Sequence, residues 1–291
     1  MCDTEGDRVN SELTKEIESK CFTLRVDDIG LRVYDSGRER RYETEKVLVF
    51  LHGSPGQISN WKYQIAYLRE KYRVVAYDQR GYGGSDKPEV VCLEDYLRDL
   101  DSLLGKLGIA SERSILIGHS FGGMIAQVYA AEKRIMGLVL IGSLVKYKPG
   151  ALDKIVWYLP AILWKPILFK KNLLTVRLYR SVFFSSKTPD HIFEDFMEDN
   201  TEYIERLPAH VYRYLKYFRD YDVSTLLKEV KCPTLIIVGE EDKVTPPDYS
   251  REIAELIPQS KLVIVEGAGH LVLYEKAEEI NRLIEEFVEI L

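Results

Sequence analysis

The stretch ILIGHSFGG (residues 115–123) places a serine between two glycines, directly after an apolar run. SILIG is typical of a buried strand, and FGGMIAQVYAAEK after it is typical of a helix. Ser120 would then lie at a strand-to-helix turn on the sheet edge where ligands gather. A sharp turn leaves no room for side chains two residues before and after the serine, which explains Gly118 and Gly122. Alternatively, the glycines serve only the packing of a helix on a strand.

Strand-like and helix-like segments alternate on both sides of this turn. KVLVFLHG, RVVAYD and MGLVLIG are short apolar runs, whereas WKYQIAYLREKY and LEDYLRDLDSLLGKLG space their apolar residues three and four apart. FTLRV and LRVYDSG flank DDIG as a predicted hairpin. The alternation resumes with PTLIIVGEED, YSREIAELI, KLVIVEG and a final helix from about residue 271. The pattern predicts an α/β fold with a mostly parallel sheet covered on both faces.

The alternation stops between residues 143 and 221. This segment is rich in Trp, Tyr and Phe and has helical periodicity, so we expect a helical cap inserted into the sheet domain. The predicted organisation is a polar N-terminal extension (1–20), a first core part (21–142), the cap (143–221) and a second core part (222–291).

Composition and charge exclude several classes of function. The chain of 291 residues has 46% apolar residues and a net charge of −6, which suits a soluble globular protein and disfavours nucleic acid as a partner. The four cysteines are scattered without metal-ligand spacing, so we expect no metal and a reduced, cytoplasmic setting. The polar first twenty residues show no secretory signal, and no run reaches the roughly 20 apolar residues of a membrane span.

A nucleophilic serine needs a base, and the base needs a partner that holds its tautomer. Among five histidines, His270 in EGAGHLVLYE follows the last predicted strand at the same sheet edge and is the best candidate. PTLIIVGEEDKVTPP supplies Glu240, Glu241 and Asp242 after another strand. We choose Asp242, although spacing alone leaves Glu241 open, and the other acids are expected to form a solvated loop.

The order Ser120, Asp242, His270 within GHSFGG, GEEDKVTP and GAGH resembles the α/β-hydrolase superfamily. The resemblance runs from about Cys21 to the C-terminus and is weakest in the cap. It implies an α/β-hydrolase fold with these residues as a catalytic triad, and no metal or organic cofactor. Superfamily members that open epoxides or remove halogen carry aspartate at the position of Ser120. The resemblance therefore implies acyl transfer to water.

Two further motifs fit this resemblance. HGSPG (52–56) follows KVLVFL, where the family keeps its oxyanion loop, and the backbone N–H groups of Ser54 and Phe121 are implied as the donors to the attacked carbonyl oxygen. YDQRGYGGSDKP (77–88) is also typical of the superfamily. Its polar residues are expected to brace the loop beside the pocket; they are Asp78, Arg80 and Ser85.

The first part of the cap is basic. Residues 146–180 contain eight Lys or Arg and one acid, Asp153, around IVWYLPAILWKPILF. The simpler interpretation is an amphipathic cap whose apolar face covers the site and whose lysines face water. The alternative is a weak contact with a membrane surface or an acyl chain, which Trp-bearing basic segments favour. The acidic stretch DHIFEDFMEDNTEYIE (190–205) is expected to pair with the basic one.

These observations predict a serine carboxylesterase that cleaves esters of apolar acyl groups. Two alternatives stay open. HGSPG and YDQRG also resemble proline iminopeptidases, which bind a substrate amino terminus with acidic cap residues, although those enzymes usually show HGGPG and a different elbow. The second alternative is a non-catalytic small-molecule receptor with the same fold. The sequence predicts neither the oligomeric state nor the acyl-chain length.

Overall fold

A computed structural model describes the backbone of residues 5–291 and the side chains of residues 12–291. The strands are β1 (Phe22–Val26), β2 (Ile29–Asp35), β3 (Val47–Leu51), β4 (Arg73–Tyr77), β5 (Ser114–His119), β6 (Gly137–Ile141), β7 (Thr234–Gly239) and β8 (Ser260–Val265). They form one sheet in the order β1-β2-β4-β3-β5-β6-β7-β8, in which only the pairs β1–β2 and β2–β4 of the described strands are antiparallel. The predicted mostly parallel sheet is confirmed.

Helices cover both faces of this sheet. They are α1 (Glu5–Ser19), α2 (Lys62–Leu68), α3 (Leu93–Lys106), α4 (Phe121–Glu132), α5 (Ala151–Tyr158), α6 (Ala161–Leu168), α7 (Leu173–Phe183), α8 (Asp190–Arg206), α9 (Pro247–Leu256), α10 (Val272–Glu275) and α11 (Ala277–Glu289). The prediction of a single final helix from about residue 271 is wrong in detail, because Lys276 departs from helical geometry with φ −134° and ψ 43°. This break separates α10 from α11.

The central strands owe their continuous apolar sequence to burial on both faces. Every residue of β3, β5, β6 and β7 is buried, as expected for parallel strands between two helical layers. Neighbouring residues face opposite cores: Val49 lies in the core that contains Leu100 of α3 and Ile125 of α4, whereas Leu48 lies in the core that contains Ile284 of α11.

The predicted polar extension begins with four residues outside the described part of the chain and continues as α1. Ile17 of α1 is fully buried in the same core as Leu48, so the helix belongs to the layer formed by α2 and α11. Among the described residues, no helix is long and apolar enough to cross a membrane.

Helices α5 to α8 and a 3₁₀ helix (Val211–Phe218) lie between β6 and β7 in the chain. Trp157 and Trp164 are buried in a cluster against which Tyr212 packs, so neither tryptophan lies on the outer surface. Instead, leucine, isoleucine and tyrosine side chains of α5 to α7 occupy the outer surface.

The acidic helix α8 pairs mainly with a lysine of the sheet domain, and not with the basic segment of the cap as expected. The buried Lys62 of α2 lies 2.6 Å from Asp195 and 2.7 Å from Asp199, so α8 is tied to the sheet domain. Arg180 and Asp190, 3.5 Å apart, form the ion pair that links the basic and acidic cap segments within the described residues. The expected pairing is therefore largely wrong, because the buried acids neutralise a buried lysine.

Candidate active site

The turn after β5 holds Ser120 in a strained conformation. Ser120 has φ 50° and ψ −115°, and its backbone N–H donates to the Ile141 carbonyl of β6 at 2.9 Å. Positive φ is costly for a residue with a Cβ and persists where the surrounding structure enforces it, typically at functional sites. The side chain thereby stands at the carboxyl edge of the sheet.

The two glycines around Ser120 are required by backbone contacts. A Cβ on Gly118 would lie 2.6 Å from the Gly122 carbonyl oxygen, and a Cβ on Gly122 would lie 2.1 Å from the Leu51 carbonyl oxygen. Because both obstacles are backbone atoms, neither can move aside without distorting the sheet. A larger residue at either position therefore requires a backbone shift and costs stability.

Asp242 and His270 meet at this edge from the ends of β7 and β8. The Asp242 Oδ2 to His270 Nδ1 distance is 2.9 Å, and both residues are at most 5% exposed. The N–H groups of Val244 and Thr245 donate to Asp242 Oδ1, each at 2.8 Å. Burial alone raises the pKa of Asp242, but His270 and these hydrogen bonds outweigh burial and lower that pKa below its ordinary value. The carboxylate is therefore ionised beside the imidazole.

The neighbouring acids of the same loop make other contacts. Glu241 accepts hydrogen bonds from the N–H and hydroxyl of Ser186 in the cap, which lower the pKa of Glu241, and Glu240 accepts from the N–H of Gly267. Of the three acids in this loop, Asp242, which the sequence analysis chose over Glu241, is the one that contacts His270.

Glu275 is a buried acid that the sequence reasoning missed. Its carboxylate accepts hydrogen bonds from the N–H groups of Gly269 and Ser185, both at 2.8 Å, and from the Thr188 hydroxyl. Burial raises the pKa of Glu275 against the opposing effect of these bonds. Glu275 thus links the His270 loop to the cap, and its position five residues after His270 was the available signal.

His119 and His52 also line the cavity, but their hydrogen bonds and pKa values make them poorer candidates than His270 for the base. His119 Nε2 lies 3.0 Å from the His270 carbonyl oxygen, and His52 Nε2 accepts from the Gln79 N–H. Burial, together with His270, lowers the pKa of His119 to about 3, and burial lowers that of His52 to about 4. Both rings are therefore neutral near pH 7 and serve as fixed hydrogen-bonding groups.

The HGSPG loop lies beside the serine. A Cβ on Gly53 would lie 3.3 Å from Ser120 Cβ, and Ser54 Oγ is 2.8 Å from the Tyr82 hydroxyl. Phe121 opens α4, so its N–H is one of the helix N-terminal donors without an intrahelical acceptor. The two predicted oxyanion donors thus belong to segments on either side of Ser120.

The 77–88 loop has the bracing contacts expected from its sequence. Asp78 accepts from the N–H groups of Ile58 and Gly84, and the Ser85 hydroxyl donates to the Asp78 carbonyl. The Arg80 guanidinium makes two 2.7 Å hydrogen bonds to the buried carboxylate of Asp99.

A cavity of about 490 Å³ opens above Ser120 and His270. The HGSPG loop also lines it, and its walls are mostly apolar residues of α5 to α8 and their connections, among them Leu168, Phe169, Val182, Phe183 and Ile204. Asp153 and Lys243 are charged residues on its lining. In the part of the chain that the structure describes, no three His, Cys, Asp or Glu side chains are arranged to hold a metal ion.

Curated relatives with different activities align with nearly the whole chain. Epoxide hydrolase 3 of Xenopus tropicalis is 27% identical, covering 95% of this chain and 80% of that protein. A 2-hydroxy-6-oxo-6-phenylhexa-2,4-dienoate hydrolase of Comamonas testosteroni is 30% identical, covering 84% and 88%. A proline iminopeptidase of Saccharolobus solfataricus is 28% identical, covering 94% and 96%.

Solved structures share the fold. An enol-lactonase from Burkholderia xenovorans superposes with a TM-score of 0.79 at 20% identity, over 92% of this chain and all of that one. A thermophilic esterase from Thermogutta terrifontis gives 0.76 at 24% identity, over 92% and 98%. A sequence model described as the alpha/beta hydrolase fold matches residues 46–277. With that match over most of its length, the chain belongs to the alpha/beta hydrolase family.

Proposed function

We propose that this hydrolase is a serine esterase that cleaves carboxylic esters of apolar acyl groups through an acyl-enzyme intermediate. The observation that carries the proposal is the buried Asp242–His270 hydrogen bond beside the strained Ser120, below a cavity with mostly apolar walls. A serine at this position supports acyl transfer over epoxide opening, since epoxide-opening members carry aspartate there.

In the proposed reaction, Ser120 Oγ attacks the ester carbonyl carbon while His270 Nε2 accepts the hydroxyl proton. Asp242 holds Nδ1–H, so Nε2 carries the free lone pair. The tetrahedral intermediate collapses, the C–O bond to the alcohol breaks, and the alcohol leaves with the proton from His270. Water then repeats these steps on the acyl-enzyme, which releases the acid and restores Ser120.

The serine itself is not yet aligned with the base. Ser120 Oγ forms no hydrogen bond with any described residue, whereas both Ser120 and His270 line the cavity. Catalytic hydrogen bonds are often long without substrate and tighten when it binds. We therefore expect rotation of the Ser120 side chain toward Nε2 when an ester enters.

The oxyanion would be stabilised by the N–H groups of Ser54 and Phe121. Each such donor contributes about 10²- to 10³-fold in rate where it points at the developing charge. The Tyr82 hydroxyl contacts the side chain of Ser54, which fixes the loop that carries the first donor.

A proline iminopeptidase is the second candidate, favoured by a carboxylate on the cavity wall. Asp153 of α5 lines the cavity and would be the available partner for a substrate ammonium group. However, Asp153 already accepts from the Gly150 N–H, and the acids Asp195 and Asp199 of α8 are engaged by Lys62. The esterase is therefore the better supported function.

The proposed ester hydrolysis is tested by comparing the wild-type protein with the Ser120→Ala variant. We expect a fluorophosphonate probe to label wild type only, and p-nitrophenyl butyrate turnover to fall by about 10⁶-fold in the variant. Thermal unfolding of both proteins checks that the variant is folded. Stabilisation by small molecules without turnover or labelling would contradict the proposal and favour a receptor.

A substrate series separates the two enzymatic candidates. Values of kcat/KM for acetyl, butyryl and octanoyl p-nitrophenyl esters should rise with acyl length while the chain fits the apolar walls, because each buried methylene contributes about 0.8 kcal/mol. A prolyl amide should be the slowest substrate. Fastest cleavage of the prolyl amide would instead assign an iminopeptidase.

A further inference from the structure

The outer surface of α5 to α7 exposes an unusual concentration of large apolar side chains. Nine of the fifteen such exposed side chains in the described residues lie between 152 and 174, and they are 41–80% exposed. The nine are Leu152, Ile155, Tyr158, Leu159, Ile162, Leu163, Ile167, Leu173 and Leu174. We call this surface the cap face. Such a concentration of exposed apolar side chains on three neighbouring helices points to an interaction site on a folded protein.

The cap face is also cationic. Five exposed basic residues accompany it, and none forms an ion pair with a described residue; they are Lys148, Lys154, Lys170, Lys171 and Arg177. Asp153 is the only acid between residues 146 and 180, and it accepts a hydrogen bond from the Gly150 N–H. An occupant of the cap face must therefore be both apolar and anionic.

The cavity reaches the protein surface beside the cap face. Leu152 and Val244 line the cavity and are still 49% and 37% exposed. Helices α5 to α7 also contribute Val156, Leu168 and Val182 to the cavity wall. The same three helices thus face the proposed reaction space on one side and carry the cap face on the other.

We propose that the cap face docks on an anionic lipid surface, and that esters of lipid-like amphiphiles enter the cavity from that surface beside Leu152 and Val244. An anionic bilayer offers apolar chains below a negatively charged layer, which matches exposed leucines and isoleucines among lysines. A second copy of the chain fits less well, because two-fold pairing would bring the unpaired cations of the cap face against each other.

The proposed docking is argued only from the exposed residues of the cap face, whereas the proposed delivery of esters also rests on the proposed function. The full-length protein would be sedimented with vesicles of phosphatidylcholine, or of phosphatidylcholine mixed with phosphatidylserine. We expect binding to the mixed vesicles, weak binding to phosphatidylcholine alone, and loss of binding in about 1 M salt, where the Debye length is about 3 Å. Absence of binding to the mixed vesicles would overturn the docking.

Matched variants locate the binding surface. Ile162 and Ile290 are both 80% exposed, but only Ile162 lies on the cap face, so Ile162→Ser should weaken vesicle binding severalfold and Ile290→Ser should not. Lys170→Glu combined with Lys171→Glu should weaken binding at least about tenfold, whereas Lys261→Glu on β8 should have little effect. Equal effects of cap and control variants would overturn the assignment of the cap face.

Turnover separates failure of docking from failure of the chemistry. The cap variants should keep wild-type turnover of water-soluble p-nitrophenyl butyrate and lose turnover of a long-chain p-nitrophenyl ester embedded in mixed vesicles. Ser120→Ala should keep vesicle binding and lose both activities. Ester turnover without vesicle binding overturns the inference but not the esterase, and vesicle binding without any turnover overturns the esterase and the delivery of substrate. A stable dimer that Ile162→Ser dissociates would assign the cap face to a second copy.

Discussion

The sheet edge and the cap are built in opposite ways. At the edge, Asp242 and His270 are almost fully buried, and the conformation of Ser120 is enforced by backbone contacts. In the cap, α5 and α6 have eight residues each, and much of their apolar surface faces outward. Under the proposed function, this comparison teaches that the reacting groups are held by rigid elements, whereas substrate selection falls to a segment with fewer packing constraints.

The largest effect should come from the acid at the sheet edge. Asp242→Asn removes the charge that holds His270 in its productive tautomer, and we expect kcat for p-nitrophenyl butyrate to fall by about 10⁴-fold. Glu241→Gln is the matched control in the same loop, because Glu241 contacts the cap residue Ser186. It should stay within about tenfold of wild type. Near-wild-type turnover of Asp242→Asn with a severe loss in Glu241→Gln would reverse the assignment.

The next effect concerns the anchor between the two regions. Lys62→Met leaves the buried carboxylates of Asp195 and Asp199 without their cation, so the free energy of unfolding should fall by about 3–5 kcal/mol. Lys133→Met, which breaks a half-exposed pair with Asp101, should change it by less than about 1 kcal/mol. Urea denaturation measures both. Equal losses would mean that α8 is not held by this buried pair.

A smaller effect is expected from the turn itself. Gly122→Ala places a methyl group against the Leu51 carbonyl, and overpacking of this kind costs about 1–3 kcal/mol. Gly105→Ala in α3 meets no atom within 4 Å and should stabilise the helix by up to about 1 kcal/mol. Thermal unfolding compares them, and a Gly122→Ala protein as stable as wild type would show that the turn adapts without strain.

The sequence predicted the sheet and its edge well because both depend on local patterns. The fully buried strands β5 and β7 carry continuous apolar runs before Ser120 and Asp242, and the partly buried β8 carries the apolar run LVIV before His270. The cap was harder to predict, since its contacts are made between segments far apart in the chain. Lys62 and Asp195 are 133 positions apart, and nothing near Lys62 indicates a buried cation. Likewise, Trp164 is buried because it packs against Tyr212, a partner that helical periodicity does not reveal.

The smallest expected effect tests whether the cap moves. Helices α5 and α6 pack through a small cluster around Trp157 and Trp164, whereas residues 114–142 contain fully buried strands. Amide hydrogens should therefore exchange at least about tenfold faster across 146–180. An acyl phosphonate bound to Ser120 should slow exchange in the cap by filling the cavity that α5 to α7 enclose, and leave β5 unchanged. Mixed anionic vesicles should slow it as well if the cap face docks on lipid, and the slowing should vanish in high salt. If residues 146–180 exchange as slowly as the central strands, with or without the phosphonate, the cap is a fixed wall of the cavity. The contrast between a rigid sheet edge and an adaptable cap would then be wrong.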